Sequence, residues 1–260
     1  MGLDISPSGV RLVELSRNRG GCHVLEHCAV EALEPGWIVD GRVEQFDSVA
    51  EVLQRLLRRV KTRTVNVAMA LPAAAVITRK ISLPAGRPAT DRLELDARVR
   101  AEAGLAIPLP LQDVHLDYSV MSAAPGQAGQ LQPSLAAAQA DEKAQVLLVA
   151  TRRERVQDLQ GLAEAAGLEP VIVDVESYAA RRAARRLIEC LAQDEPRMAG
   201  EAEAVRVAMF EFGAHSTRLQ ILQGDEVIHE RDHPFGTAAP TDMAQMARDM
   251  AGALDFFQAG

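Results

Sequence analysis

The feature that most restricts what this chain can become is an internal repeat. Residues 4–15 (DISPSGVRLVEL) and 211–222 (EFGAHSTRLQIL) align without a gap. Both read acid, apolar, small, two variable positions, small, β-branched, Arg-Leu and a terminal Leu. In each copy an apolar strand runs into a tight turn, then a second strand, a Gly-containing turn and a third strand, so the repeat predicts two equivalent domains. A turn of small residues lets backbone N–H groups close on a phosphate, hydroxyls add hydrogen bonds, and the acid can hold a metal through water. The candidate binding residues are Asp4, Ser6, Ser8, Gly9 and Arg11 in the first loop, and Glu211, Gly213, Ala214, His215, Ser216 and Thr217 in the second. Asp4 is also the candidate Mg contact, through water. Two such turns facing each other clamp a nucleotide. Between the copies, residues 173–179 (VDVESYA) place the acid pair Asp174 and Glu176 where a strand gives way to a helix crossing between domains.

Composition narrows the function. A chain of 260 residues at 48% hydrophobic content buries a real core, as one large domain or two modest ones. Three widely spread cysteines, Cys22, Cys28 and Cys190, argue against a disulfide framework and suit a reducing compartment. No stretch reaches the roughly 18 apolar residues of a membrane span and none resembles a leader, so the chain is expected to be neither secreted nor membrane-spanning. A net charge of −8 with 3% aromatics argues against nucleic acid, which needs cations and stacking platforms. On a strand, Cys22 and Cys28 lie about 20 Å apart at ~3.3 Å per residue, too far to share a zinc ion. Arg181, Arg182, Arg185 and Arg186 read as a solvated helix face. No nucleophile, base and acid are spaced for hydrolysis, so no catalytic residue is assigned and any activity is at most slow ATP hydrolysis by a positioned water.

Periodicity and breakers give the element order. Leu3–Leu15 reads as a strand returning through Asn18–Gly21 into Cys22–Val30. A helix over 48–59 capped by Asp47 carries Val49, Val52, Leu53, Leu56 and Val60 on one face. Strands follow at 64–71 and 76–83, then a helix over 90–103 stopped by Gly104, and a strand at 114–121. Residues 122–142 lack an apolar period and read as a mobile loop. A strand at 144–150, a helix over 153–166 closed by Gly167 and a strand at 171–175 form one unit. A helix over 177–192 leads to a polar linker at 193–203. The second half offers strands at 205–212, 216–222 and 226–232, then a helix over 241–257 with Met243, Met246, Met250, Leu254 and Phe257 on one stripe.

With these landmarks in place, GLDISPSGVRLVEL (2–15) resembles the opening phosphate motif of the PilM family, in the FtsA branch of the actin-like superfamily. IVDGRV (38–43), VAMALP (67–72), VITRKI (76–81), IPLP (107–110), AAGLEPVIVDVESYA (165–179) and PFG (234–236) agree in order, and 165–179 is the most specific. The resemblance covers nearly the whole chain. It implies an α/β, actin-like (ribonuclease H-like) fold with duplicated cores: residues 1–75 with 152–192 as the first, 76–151 as an inserted FtsA-type subdomain, and 204–260 as a second core that is C-terminally incomplete, lacking the glycine-rich adenosine segment. It further implies ATP with Mg between the cores, and the cytosolic N-terminal tail of PilN docked as an extended peptide between the first core and the 76–151 insert. Self-association and contacts with pilus motor or platform proteins belong to the same expectation. The protein is then cytoplasmic, peripheral to the inner membrane and reaching it only through its partner. The chain departs from the family pattern at Ser6 (usually Gly), Pro7 (often Ser), Arg11 (often Lys) and Glu211 (usually Asp), and Pro7 removes an amide donor. Two other functions share the duplicated loops. A kinase or ATPase of the sugar-kinase branch is disfavoured by the 76–151 insert, and an FtsA-like division protein by a last helix with Arg248 as its single basic residue, unlike a membrane-surface helix.

Overall fold

The computed structural model describes residues 1–39, 41–83, 92–121, 145–194, 206–214, 216–224, 226–237 and 243–258. The chain divides into two compact units, Met1–Arg181 and Arg182–Gly260. In chain order the first contains β1 (Gly2–Ser6), β2 (Gly9–Arg17), β3 (His23–Ala32), the short β4 (Ile38–Val39) and β5 (Arg42–Val43), α1 (Phe46–Val60), β6 (Asn66–Leu71), β7 (Val76–Ser82), α2 (Arg92–Ala106), β8 (Val114–Met121), β9 (Gln145–Arg152), α3 (Arg153–Ala165) and β10 (Glu169–Val175); α4 (Glu176–Asp194) crosses the boundary.

Leu3–Leu15 is two strands rather than one. Pro7 has no amide for a ladder, and Pro7-Ser8 forms the two-residue turn that pairs Ser6 with Gly9. Five strands lie in the order β10-β6-β1-β2-β3, antiparallel from β1 to β3 and parallel across β1, β6 and β10. One face is covered by α1 and α3. On α1, Val49, Val52, Leu53 and Leu56 are buried at the spacing of a single helical face. They close on Leu3, Ile5, Val10, Leu12, Val67 and Met69 from the alternate positions of three strands. Burial of each fully enclosed leucine contributes about 2 kcal/mol. Asp47 does not cap α1: the helix starts at Phe46, after Gln45, and Asp47 sits in its first turn, where the helix dipole favours an acid. Gly167 closes α3 as expected, at φ 78°, with its amide on the Glu164 carbonyl and the Leu168 amide on the Ala163 carbonyl.

A second core lies in the same unit. β7, β9 and β8 form an antiparallel sheet in that spatial order, and Val146, Leu148 and Ala150 of the central strand pack against Leu95, Val99 and Ala103 of α2. Gly104 does not stop α2, which runs on to Ala106 and ends before Pro108 and Pro110. The loop expected at 122–142 lies outside the described residues.

In the second unit β11 (Arg206–Phe212), β12 (Thr217–Gln223) and β13 (Glu226–His233) form an antiparallel meander, followed by α5 (Met243–Gln258). Leu219, Ile221 and Ala253 are buried together, with Phe210 and Leu254 against them. Met246 and Met250 of the expected stripe are half-buried. The linker expected at 193–203 falls mostly outside the described residues, and α4 runs to Asp194.

Candidate functional site

In the first loop one arginine gathers nearly every predicted residue. Register places Arg11 directly across from Asp4. Its Nη1 donates to Asp4 Oδ2 at 2.8 Å and to Ser6 Oγ at 2.7 Å, and its Nη2 to Ser8 Oγ at 2.9 Å. Ser6 Oγ in turn donates to the Gly9 carbonyl at 3.1 Å. Arg11 and Asp4 are both partly open to solvent, so this cluster is accessible rather than sealed.

The sheet register also fixes the acid pair. Gly2 pairs with Ala68 and Leu3 with Met69, and Asp174 pairs with Ala70. Asp4 and Asp174 therefore share one row and one face, two strands apart, or about 10 Å at ~4.8 Å per strand. Asp174 Oδ1 accepts the Val175 amide at 2.8 Å, and Glu176 is the first residue of α4.

The second loop is built from the same register, Glu211 across from Arg218, but its arginine is engaged elsewhere. Arg218 Nε and Nη2 donate to the two Asp232 oxygens, both at 2.7 Å, and Nη1 donates to Glu230 Oε1 at 3.0 Å. Burial works against its charge, but Asp232, Glu230 and Glu211 outweigh that and raise its pKa above the ordinary value. Residues 234–237 brace the loop instead. The fully buried Thr217 donates its hydroxyl to the Phe235 carbonyl at 2.7 Å, and the Thr237 amide donates to the Gly213 carbonyl at 2.9 Å. A Cβ on Gly236 would lie 2.4 Å from the Ala214 oxygen. The Gly213 amide donates to the Ser216 carbonyl, so it is directed back into the turn. His215 lies outside the described residues. Sequence reasoning missed this brace and the Asp232 fork, although PFG at 234–236 had stood out as a landmark.

The first loop fits a phosphate better than a metal. A guanidinium with two hydroxyls is a donor set for an anion, whereas Asp4, the single acid among them, already has Oδ2 on Arg11. A phosphate that took over Arg11 would free Asp4 for a water-bound Mg ion.

The mixed five-stranded sheet, the two smaller antiparallel sheets and the helices packed on them define an α/β protein of two compact units. Within that class the chain belongs to the family of type IV pilus assembly protein PilM, whose model matches residues 2–253. Among solved structures it is similar to a chain of a PilM-PilN type IV pilus biogenesis complex, 25% identical over 99% of this chain and 77% of that one, with a TM-score of 0.73. More distant likenesses are the cytoplasmic domain of EpsL, an inner-membrane component of the Vibrio cholerae type II secretion system, at 10% identity, 90% and 70% coverage and TM-score 0.48, and the ethanolamine utilization protein EutJ from Carboxydothermus hydrogenoformans at 13%, 90% and 51%, and 0.42. No described helix is long and apolar enough to cross a membrane.

Proposed function

We propose that this chain is the cytoplasmic, actin-like component of the type IV pilus inner-membrane assembly platform, and that it holds the cytosolic N-terminal segment of a PilN-type partner. The observation that carries the reading is the match over residues 2–253 to the PilM family, together with the likeness to a chain of a PilM-PilN complex along 99% of this sequence. The proposed groove lies between the first core and the insert. Its support is that β7, α2, β8 and β9 close a core of their own while α3 returns to the core of β1, β2 and β6, leaving two separately packed bodies within the first unit. We infer that the two loops are duplicated phosphate sites of a pair of related cores. ATP with Mg is proposed to use Arg11, Ser6 and Ser8 for phosphate, with Asp4 and Asp174 toward water-bound Mg. Titration calorimetry of the folded chain with a PilN-type N-terminal peptide should give saturable binding, near one peptide per chain. No heat from a chain whose insert is intact would sink the partner assignment.

A further inference from the structure

Five cations gather at the end of the five-stranded sheet opposite the Ser6–Gly9 loop. The β2–β3 tip carries Arg17 and Arg19, and the end of α1 with the segment after it carries Arg58, Lys61 and Arg63, all exposed. Glu14 joins the two groups. It accepts from Thr64 Oγ1, Thr62 adds a second hydrogen bond, and Glu14 stands three residues, about 10 Å, along the strand from Arg17. Elsewhere Arg11, Arg42, Arg55, Arg59 and Arg218 meet acids, but Arg19, Arg58, Lys61 and Arg63 make no ion pair among the described residues. The nearby acids are already engaged: Glu14 by the two threonines and His27, and Glu26 by Ser16. Glu169, whose amide donates to the Val65 carbonyl, stands at the margin.

The pole is also apolar and projecting. Leu15 and its cross-strand partner Leu25 are 54% and 59% exposed, Val24 on the other face of the hairpin is 39% exposed, and Val65, at the same end of the sheet, is 47% exposed. β1 begins opposite Val13, so the pairs from Leu15–Leu25 to Arg17–His23 overhang it. The tip is fixed in shape, because Asn18 Oδ1 accepts the amides of Gly20 and Cys22, each at 3.0 Å. Cations on the tip and at the end of α1, with exposed aliphatic side chains on the overhang, match an anionic bilayer surface: the cations meet lipid phosphates and the aliphatic groups settle among the headgroups.

We propose that this pole docks directly on an anionic bilayer, a contact beyond the partner-mediated one and independent of the PilN and ATP readings. The test is flotation of the full chain, without partner or nucleotide, with phosphatidylcholine vesicles with and without phosphatidylglycerol. Binding is expected only with the anionic lipid, and it should fade near 1 M salt, where the screening length falls to ~3 Å. Arg19→Ala with Arg63→Ala should weaken it roughly 30-fold, each Lys or Arg near the surface being worth about 1 kcal/mol, while Arg19→Lys with Arg63→Lys should retain it. Equal flotation on pure phosphatidylcholine, none on anionic vesicles, or full binding by a folded alanine pair would overturn the proposal.

Discussion

The two loops share a register and differ in what their arginines do. Arg11 reaches across to the first strand of its meander and organises Asp4, Ser6 and Ser8. Arg218 turns the other way, to the third strand, and forks onto Asp232. The difference traces to one position on the third strand. Arg11 faces Val30, so its only cross-strand acid is Asp4; Arg218 faces Asp232, whose carboxylate matches a guanidinium fork. One loop thereby keeps its cation at the turn, and the other buries its cation as a structural tie and leaves loop shape to residues 234–237. Two segments of similar sequence and equal register thus hold their arginines in unequal tasks.

The strongest way to break this comparison is to remove each arginine. Arg218→Met leaves Asp232 and Glu230 crowded without their cation and should cost about 2–3 kcal/mol, below the ~3–5 kcal/mol of a fully buried pair because both acids reach water. Arg11→Met removes a solvent-open pair and should cost less than about 1 kcal/mol. Denaturant unfolding followed separately in each unit distinguishes them, and equal losses would erase the contrast. Next in size is Gly236→Ala, whose new methyl meets the Ala214 carbonyl; forcing the brace off the loop should cost about 2 kcal/mol, read as a lowered melting point of the second unit.

Acid sharpens the comparison at the position equivalent to Glu14, which in the second copy is the buried Ile221. Hydrogen bonds from Thr64 and Thr62, opposed in part by burial and aided by His27, lower the Glu14 pKa to about 2. A depressed carboxylate stabilises the fold above its ordinary pKa, and that contribution disappears as pH falls from about 5 toward 2. Unfolding free energy of the first unit should therefore drop over this window by more than in Glu14→Gln, and parallel curves would remove Glu14 from the account. The smallest expected effect on stability, a few tenths of a kcal/mol, belongs to Val30→Asp, a substitution at an exposed site. Its crystal structure should show Arg11 swung from Ser6 and Ser8 onto residue 30, with a weaker nucleotide titration; an unmoved Arg11 would break the explanation of the difference.

Much of this was legible in the residues because it depends on neighbours in the chain. The 3.6-residue spacing of Val49, Val52, Leu53 and Leu56 marked α1, Gly167 marked the end of α3, and the gap-free repeat marked two meanders with an acid and an arginine in each. Local rules fail at Asp47 and Gly104, which have the chemistry of a cap and a stop but lie inside α1 and α2, since a turn propensity is weaker than the packing that holds the helix around it. The family, too, followed from ordered short motifs, and the match over residues 2–253 agrees with it.

What the sequence alone determined, then, was the set of elements, the repeat and the chemistry available at each loop. Tertiary structure decided which partner each of those groups meets. Pairing of β2 with β3 and of β12 with β13 brings Val30 to Arg11 and Asp232 to Arg218, across 19 and 14 positions of chain respectively. The row shared by Asp4 and Asp174, the brace at Gly236 and the cationic pole around Arg19 and Arg63 arise in the same way. Each depends on strand register and on loops folded back over a sheet, and register is fixed by which faces are buried together rather than by the preference of any single residue.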